Sequence, residues 1–234
     1  MPLLRRAAHT ERVASVCTRI TVGEPGQQAT LCCVHNAIGL VVFAHANGFS
    51  QSSRSNHELA RRLRERRLDT LEYELLEPDE PDHDAHARNI SLLADRLLGV
   101  IDALPASQRD HPLGLFGSGT ASAAALLAET RQAHRVGAVV SRGGRPDLAG
   151  NHLNEVQAPT LLLVGEADEQ VLALNRHAYA RLRCEKRIEV VPRATHLFLE
   201  AGALDAVATK AADWFCAHLP VQPKPKPDPA SRRH

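Results

Sequence analysis

The sequence predicts an α/β fold built on a mainly parallel sheet with an antiparallel N-terminal hairpin, and three observations predict it. Strand-like and helix-like apolar periods alternate along most of the 234 residues, as repeated βα units require. A continuous apolar run, 39–44 (GLVVFA), suits a strand buried on both faces. Near the start, 12–22 (RVASVCTRITV) and 29–34 (ATLCCV) flank the turn cluster Gly23-Glu24-Pro25-Gly26, which marks a hairpin.

The elements follow in order. After strand 39–44, residues 56–67 predict an arginine-rich helix carrying Leu59 and Leu63 inward. Residues 69–76 alternate through Leu71, Tyr73 and Leu75 as a strand. A polar, proline-bearing loop spans 77–88, and helix 89–104 puts Ile90, Leu93, Leu97, Ile101 and Leu104 on one stripe. Strand 113–116, helix 121–133 and strand 136–141 come next, then a loop at Gly143-Gly144. Strand 160–164 leads into helix 170–182, with Val171, Leu174, Ala178 and Leu182 on one face. Strand 187–191 precedes a loop through His196, and helix 204–218 closes on Val207, Ala211, Trp214 and Phe215. Residues 1–219 form one expected domain. The Pro- and Lys-rich tail 220–234 has almost no apolar content and reads as disordered.

Composition narrows the function. A net charge of +1 gives no reason to expect nucleic acid as a partner, and an aromatic content of 3% argues against a base-stacking surface. No apolar run approaches membrane-spanning length, so no membrane partner is expected. The cysteines Cys17, Cys32, Cys33, Cys184 and Cys216 are odd in number and lack C-x-x-C spacing. They read as buried reduced thiols. With no apolar core in the arginine-bearing N-terminus, a cytoplasmic setting is the expectation.

In open α/β sheets, ligands bind beyond the carboxyl ends of the strands. Four such ends hold reactive residue types. His45-Ala46-Asn47-Gly48-Phe49-Ser50 follows strand 39–44. The turn Gly117-Ser118-Gly119-Thr120-Ala121 follows strand 113–116. Gly165-Glu166-Ala167-Asp168 follows strand 160–164, and Ala194-Thr195-His196 follows strand 187–191. Turn, Asp, His is the chain order of an α/β-hydrolase triad. His196 would be the general base, its ordinary pKa being near neutral. Asp168 would orient the imidazole and stabilise its charged form. The backbone N–H of Thr120 and one near Asn47 would form an oxyanion hole. A G-x-S-x-G elbow would put serine at position 119, but Gly119 stands there and Ser118 comes one residue early.

On these segments the chain resembles the α/β-hydrolase superfamily, and within it the small, lidless dienelactone hydrolase-like proteins, some of whose relatives are fused to phosphoribosyltransferase domains. The matching runs are 41–45 (VVFAH), 114–117 (GLFG), 139–149 (VVSRGGRPDLA), 159–165 with Asp168 and Leu174-Asn175, and 190–198 (VVPRATHLF). The resemblance implies a three-layer fold without a large lid, an ester- or lactone-hydrolase ancestry and no cofactor or metal. It carries the acid role onto Asp168 and the base role onto His196. It also exposes two departures. The group reads Gly-Ala-Ser-Thr-Gly where this chain has 117–121 (GSGTA), and resembles His-Gly-Ser-Gly-Ser where this chain has 45–49 (HANGF).

Three functions stay open: a hydrolase with its nucleophile moved to Ser118, a His196–Asp168 dyad acting on water or substrate, and a pseudoenzyme that binds a ligand or partner. A small molecule is the expected occupant, and oligomeric state is not legible. Arg142, Arg145 and Asp147 either form an ion-pair turn or hold an anionic substrate group. His83 and His86 read as a solvated loop rather than a metal site. Phe49 and Phe198 either line an apolar pocket or belong to the core.

Overall fold

A computed structural model describes residues 14–23, 26–46, 51–77 and 79–219. The tail 220–234, the start of the chain and the loop 47–50, with the expected contributions of Asn47 and Phe49, lie outside the described residues.

The strands are β1 (Ser15–Val22), β2 (Gln27–Val34), β3 (Gly39–His45), β4 (Leu68–Glu74), β5 (Leu113–Ser118), β6 (Val136–Arg142), β7 (Thr160–Gly165) and β8 (Lys186–Val191). They form one sheet in the order β1-β2-β4-β3-β5-β6-β7-β8. β1 pairs antiparallel with β2 and β2 with β4, and every pairing from β4 to β8 is parallel. The helices are α1 (Gln51–Glu65), α2 (His83–His86), α3 (Ile90–Asp102), α4 (Ala106–Arg109), α5 (Ala121–Arg131), α6 (Glu169–Arg181) and α7 (Ala203–His218). A 3₁₀ segment, Pro146–Asn154, follows β6.

The sheet has two apolar faces. On one, Val41, Phe43, Phe116, Val140 and Leu163 pack with Leu59 and Leu63 of α1 and with Val207, Ala211 and Phe215 of α7. On the other, Val42, Leu115 and Leu162 meet Leu93 and Leu97 of α3, Leu126 of α5 and Ala178 of α6. Covered on both sides, β3 and β5 are buried at every position and are apolar except at their carboxyl ends, His45 and Ser118.

The structure changes several expectations. Helix α1 starts at Gln51, more than a turn before the predicted Asn56, because its first turn carries no apolar residue to mark it. The inner face of α6 is Leu172, Asn175 and Ala178 rather than Val171 and Leu174. Asn175 occupies that face because its amide nitrogen donates to Gly144 O (2.9 Å) and Val171 O (2.8 Å), which satisfies that donor in the interior. The expected set of reduced thiols is also corrected. The β1–β2 register places Cys17 opposite Cys32, and the two form a disulfide, while Cys33, Cys184 and Cys216 are free. Among the described residues, no helix is long and apolar enough to cross a membrane.

Candidate active site

At the end of β5 the chain turns sharply into α5. Gly119 is the apex, with φ of +56°, a conformation costly for any residue with a Cβ. Its carbonyl accepts from Ser122 N (3.3 Å) and Arg145 N (2.9 Å), so the turn is pinned from two sides. This is the backbone state of a nucleophile elbow, and it carries no hydroxyl at its apex. Ser118 is the last residue of β5 and is buried. Strand alternation puts its side chain on the face of Phe116, toward α1 and α7. Thr120 follows the apex, at the N-terminus of α5.

The acid and base come from adjacent strands. Glu166 N donates to Val191 O and Ala167 N to Ala194 O, both at 3.0 Å. Arg193 N donates to Glu166 Oε2 at 2.7 Å. A Cβ on Gly165 would lie 2.3 Å from Ala194 O, so only glycine permits the loops after β7 and β8 to meet this closely. Asp168 caps α6, its Oδ1 accepting from Val171 N (3.4 Å). Its Oδ2 lies 2.7 Å from His196 Nδ1. Holding Nδ1 in this way leaves Nε2 as the nitrogen available for proton transfer. The His196 side chain is about half exposed, at 55%, against 15% for Asp168. The imidazole stands over the end of β6: a Cβ on Gly143 would lie 3.7 Å from His196 Nδ1.

Beneath this loop lies a polar layer. Ser118 pairs in register with Arg142, and Phe43 with Phe116. Alternation therefore aligns His45, Ser118 and Arg142 as the last row on the α1–α7 face, above Phe43, Phe116 and Val140. The Asn56 amide reaches His45 Nδ1 at 2.9 Å. Burial, with the nearby positive charge of Arg142 adding to it, pushes the His45 pKa down to about 3, so the ring is neutral near pH 7. Burial alone lowers Arg142 to about 10, which leaves it charged. The Arg142 guanidinium carbon sits 5.7 Å from the centre of the Phe198 ring.

The structure separates residues that the sequence grouped. Arg145 and Asp147 form a bidentate pair, both contacts at 2.8 Å, and Arg142 takes no part in it. Phe198 is buried in the core. In the loop, His86 contacts Glu80, which also accepts two hydrogen bonds from Arg96. Among the described residues, no cluster of three or more His, Cys, Asp or Glu side chains could hold a metal. The sequence reading missed the His45–Asn56 contact and the Glu166 tie to Arg193. Extending the alternation of β3 by one residue, from Phe43 to His45, would have placed His45 on the site face.

No protein-family model matches the chain. A dienelactone hydrolase from Anabaena variabilis superposes with a TM-score of 0.81 at 39% identity, covering 89% of this chain and 100% of that one. The esterase Est1E from Butyrivibrio proteoclasticus has a TM-score of 0.71 at 13% identity, covering 86% and 98% of the two chains. A lidless α/β serine hydrolase from Xanthomonas campestris gives 0.66 at 18%, covering 95% and 100%. These last two share the fold alone. Among curated proteins, one from Mycobacterium tuberculosis is 48% identical over 184 residues, 77% of this chain and 41% of its own length. Its name carries a provisional phosphoribosyl transferase assignment. This chain thus spans about two fifths of that relative.

Proposed function

The chain belongs to the dienelactone hydrolase-like family of α/β-hydrolases, and from that membership we propose that it hydrolyses a small ester or lactone with the His196–Asp168 pair activating water directly. One observation carries this reading. The base is held ready, with His196 Nδ1 at 2.7 Å from Asp168, while the elbow apex is Gly119 at φ +56°. The base is kept and the apex hydroxyl is gone.

The chemistry balances without an acyl-enzyme. His196 Nε2 takes a proton from water as the oxygen attacks the carbonyl. The tetrahedral oxyanion is stabilised by the Thr120 N–H, at the positive end of α5. Collapse expels the alkoxide, which recovers the proton from His196 and leaves as the alcohol, with the acid as the other product. Asp168 stabilises the transient imidazolium. Ser118 is the weaker nucleophile candidate. It precedes the apex, and its side chain lies on the α1–α7 face, so its hydroxyl departs from the elbow geometry that nucleophilic attack requires.

Two measurements test the reading. Turnover of small aryl esters or lactones should fall by about 10²–10⁴-fold in His196→Ala, and turnover that persists there overturns it. A fluorophosphonate probe should leave the wild-type chain unlabelled. Labelling that disappears in Ser118→Ala would instead establish a shifted serine nucleophile. Absence of any turnover would favour a binding role on a hydrolase scaffold. In Gly119→Ser, a hydroxyl returns to the apex, and probe labelling should appear at that position.

A further inference from the structure

Asn175 sits on the inner face of α6 between Leu172 and Ala178, and it is fully buried. Its Oδ1 has no hydrogen-bond partner among the described residues. Leaving a buried carbonyl oxygen unpaired is costly. Leucine, of similar size, would fill the position without that cost and is the better helix former. Positions where a chain breaks a packing rule in this way are those expected to serve its site.

The Asn175 Nδ2 does what an apolar side chain could not. It donates to Gly144 O and to Val171 O, and each acceptor leads to the site. Gly144 lies in the segment 143–145. Arg145 N there holds the apex carbonyl, Gly119 O (2.9 Å), and Gly143 N donates to Leu163 O (2.8 Å). A Cβ on Gly143 would lie 3.2 Å from His196 O, so the same segment supports the base. It has no slack: a Cβ on Gly144 would lie 2.0 Å from Ser122 Oγ of α5 and 2.4 Å from Ser141 Oγ of β6. On the other side, Val171 N donates to Asp168 Oδ1 (3.4 Å), and Asp168 Oδ2 lies 2.7 Å from His196 Nδ1. One amide therefore links the elbow segment to the helix that the acid caps.

We infer that Asn175 is a positioning residue: by tying α6 to the segment 143–145, it fixes the Asp168 carboxylate against His196 Nδ1 and holds both in register with the elbow. A misplacement of about 1 Å, even from a change remote from the chemistry, costs about 10²-fold in rate, so such a tie has a use that outweighs an unpaired oxygen. The inference rests on the reading of His196 as base and Asp168 as its orienting acid, but the hold on the imidazole can be measured without turnover.

The readout is the tautomer of the neutral His196 ring, taken from imidazole nitrogen shifts in the full chain carrying nitrogen-15 histidine, with His196→Ala to assign the signals. In wild type the proton should sit on Nδ1, facing Asp168. Asn175→Leu, which keeps the volume, and Asn175→Ala should both release the ring toward the mixed tautomers of a free imidazole. Leu172→Ala removes packing from the same helix face but no hydrogen bond. It should lower Tm and leave the Nδ1–H form in place. On any ester or lactone that wild type turns over, kcat in Asn175→Leu should fall by about 10²-fold with KM little changed. A ring that keeps the Nδ1–H form in either folded Asn175 variant overturns the inference. So does a loss of that form in Leu172→Ala equal to the loss in Asn175→Ala, which would make the effect one of packing. A wild-type ring that is already mixed overturns the inference together with the assignment of Asp168 as orienting acid. Release of the ring in the Asn175 variants, combined with no ester turnover in wild type, would keep the positioning role and discard the hydrolase reading.

Discussion

Asp168 carries two duties on its two oxygens. Oδ1 caps α6 through Val171 N and Oδ2 orients His196. The two can be separated. Asp168→Asn keeps a capping oxygen but removes the charge that stabilises the imidazolium. It should lower kcat by about 10²–10⁴-fold with little change in Tm. Asp168→Ala removes both functions and should cost in addition about 1 kcal/mol of stability, the usual value of an N-cap. Steady-state kinetics beside thermal unfolding of the two variants checks this. Equal Tm values for Asn and Ala would show that the cap contributes nothing. Asp168 and His196 could be named from the sequence because each follows a strand that the apolar pattern marks clearly. The backbone state of Gly119 could only be suspected, because φ is set by the hydrogen bonds of the turn, including the one from Arg145, 26 residues away in sequence.

Elements are tied together by buried polar groups that no periodicity reveals. Glu129 on α5 is fully buried. It accepts from Gln157 N (3.2 Å) and Ala158 N (2.9 Å), fixing the entry to β7. Burial raises its pKa above the ordinary carboxylate value. The sign follows from linkage. A carboxyl with a raised folded pKa favours the fold most while protonated, below its unfolded value near 4.5, and that contribution is lost as pH rises through the folded value. Glu129→Gln should therefore remove a decline in stability that wild type shows as pH rises above about 4.5, measured as urea midpoints across pH. Glu129→Ala leaves two backbone N–H groups unpaired in the interior and should cost about 1–3 kcal/mol. The outline of α5 and β7 was readable from their apolar runs. The pairing of Glu129 with the turn before β7 was not, because it joins residues about 28 positions apart.

Over the whole molecule, the doubly covered sheet and its antiparallel edge hairpin were legible, and the cross-link within that hairpin was not. The composition pointed to reduced thiols, yet the hairpin register sets Cys17 against Cys32 and bonds them. Under denaturing, non-reducing conditions iodoacetamide should alkylate three of the five cysteines, and all of them after reduction, as intact mass would show. The cross-link closes a 15-residue separation, and on the chain-entropy account reduction should lower unfolding stability by about 3 kcal/mol. The sequence by itself determined the order of strands and helices, the two-sided burial of the central strands and the placing of His196 and Asp168 beyond adjacent strand ends. These follow from local periodicity and from the rule that parallel strands bring their carboxyl ends to one edge. Only the tertiary structure decided two matters: that Gly119 holds the elbow conformation, and that Arg142 is buried apart from the Arg145–Asp147 pair. Each depends on how a side chain or turn meets residues distant in sequence, and side-chain direction and charge compensation are settled by packing in three dimensions rather than by the local pattern.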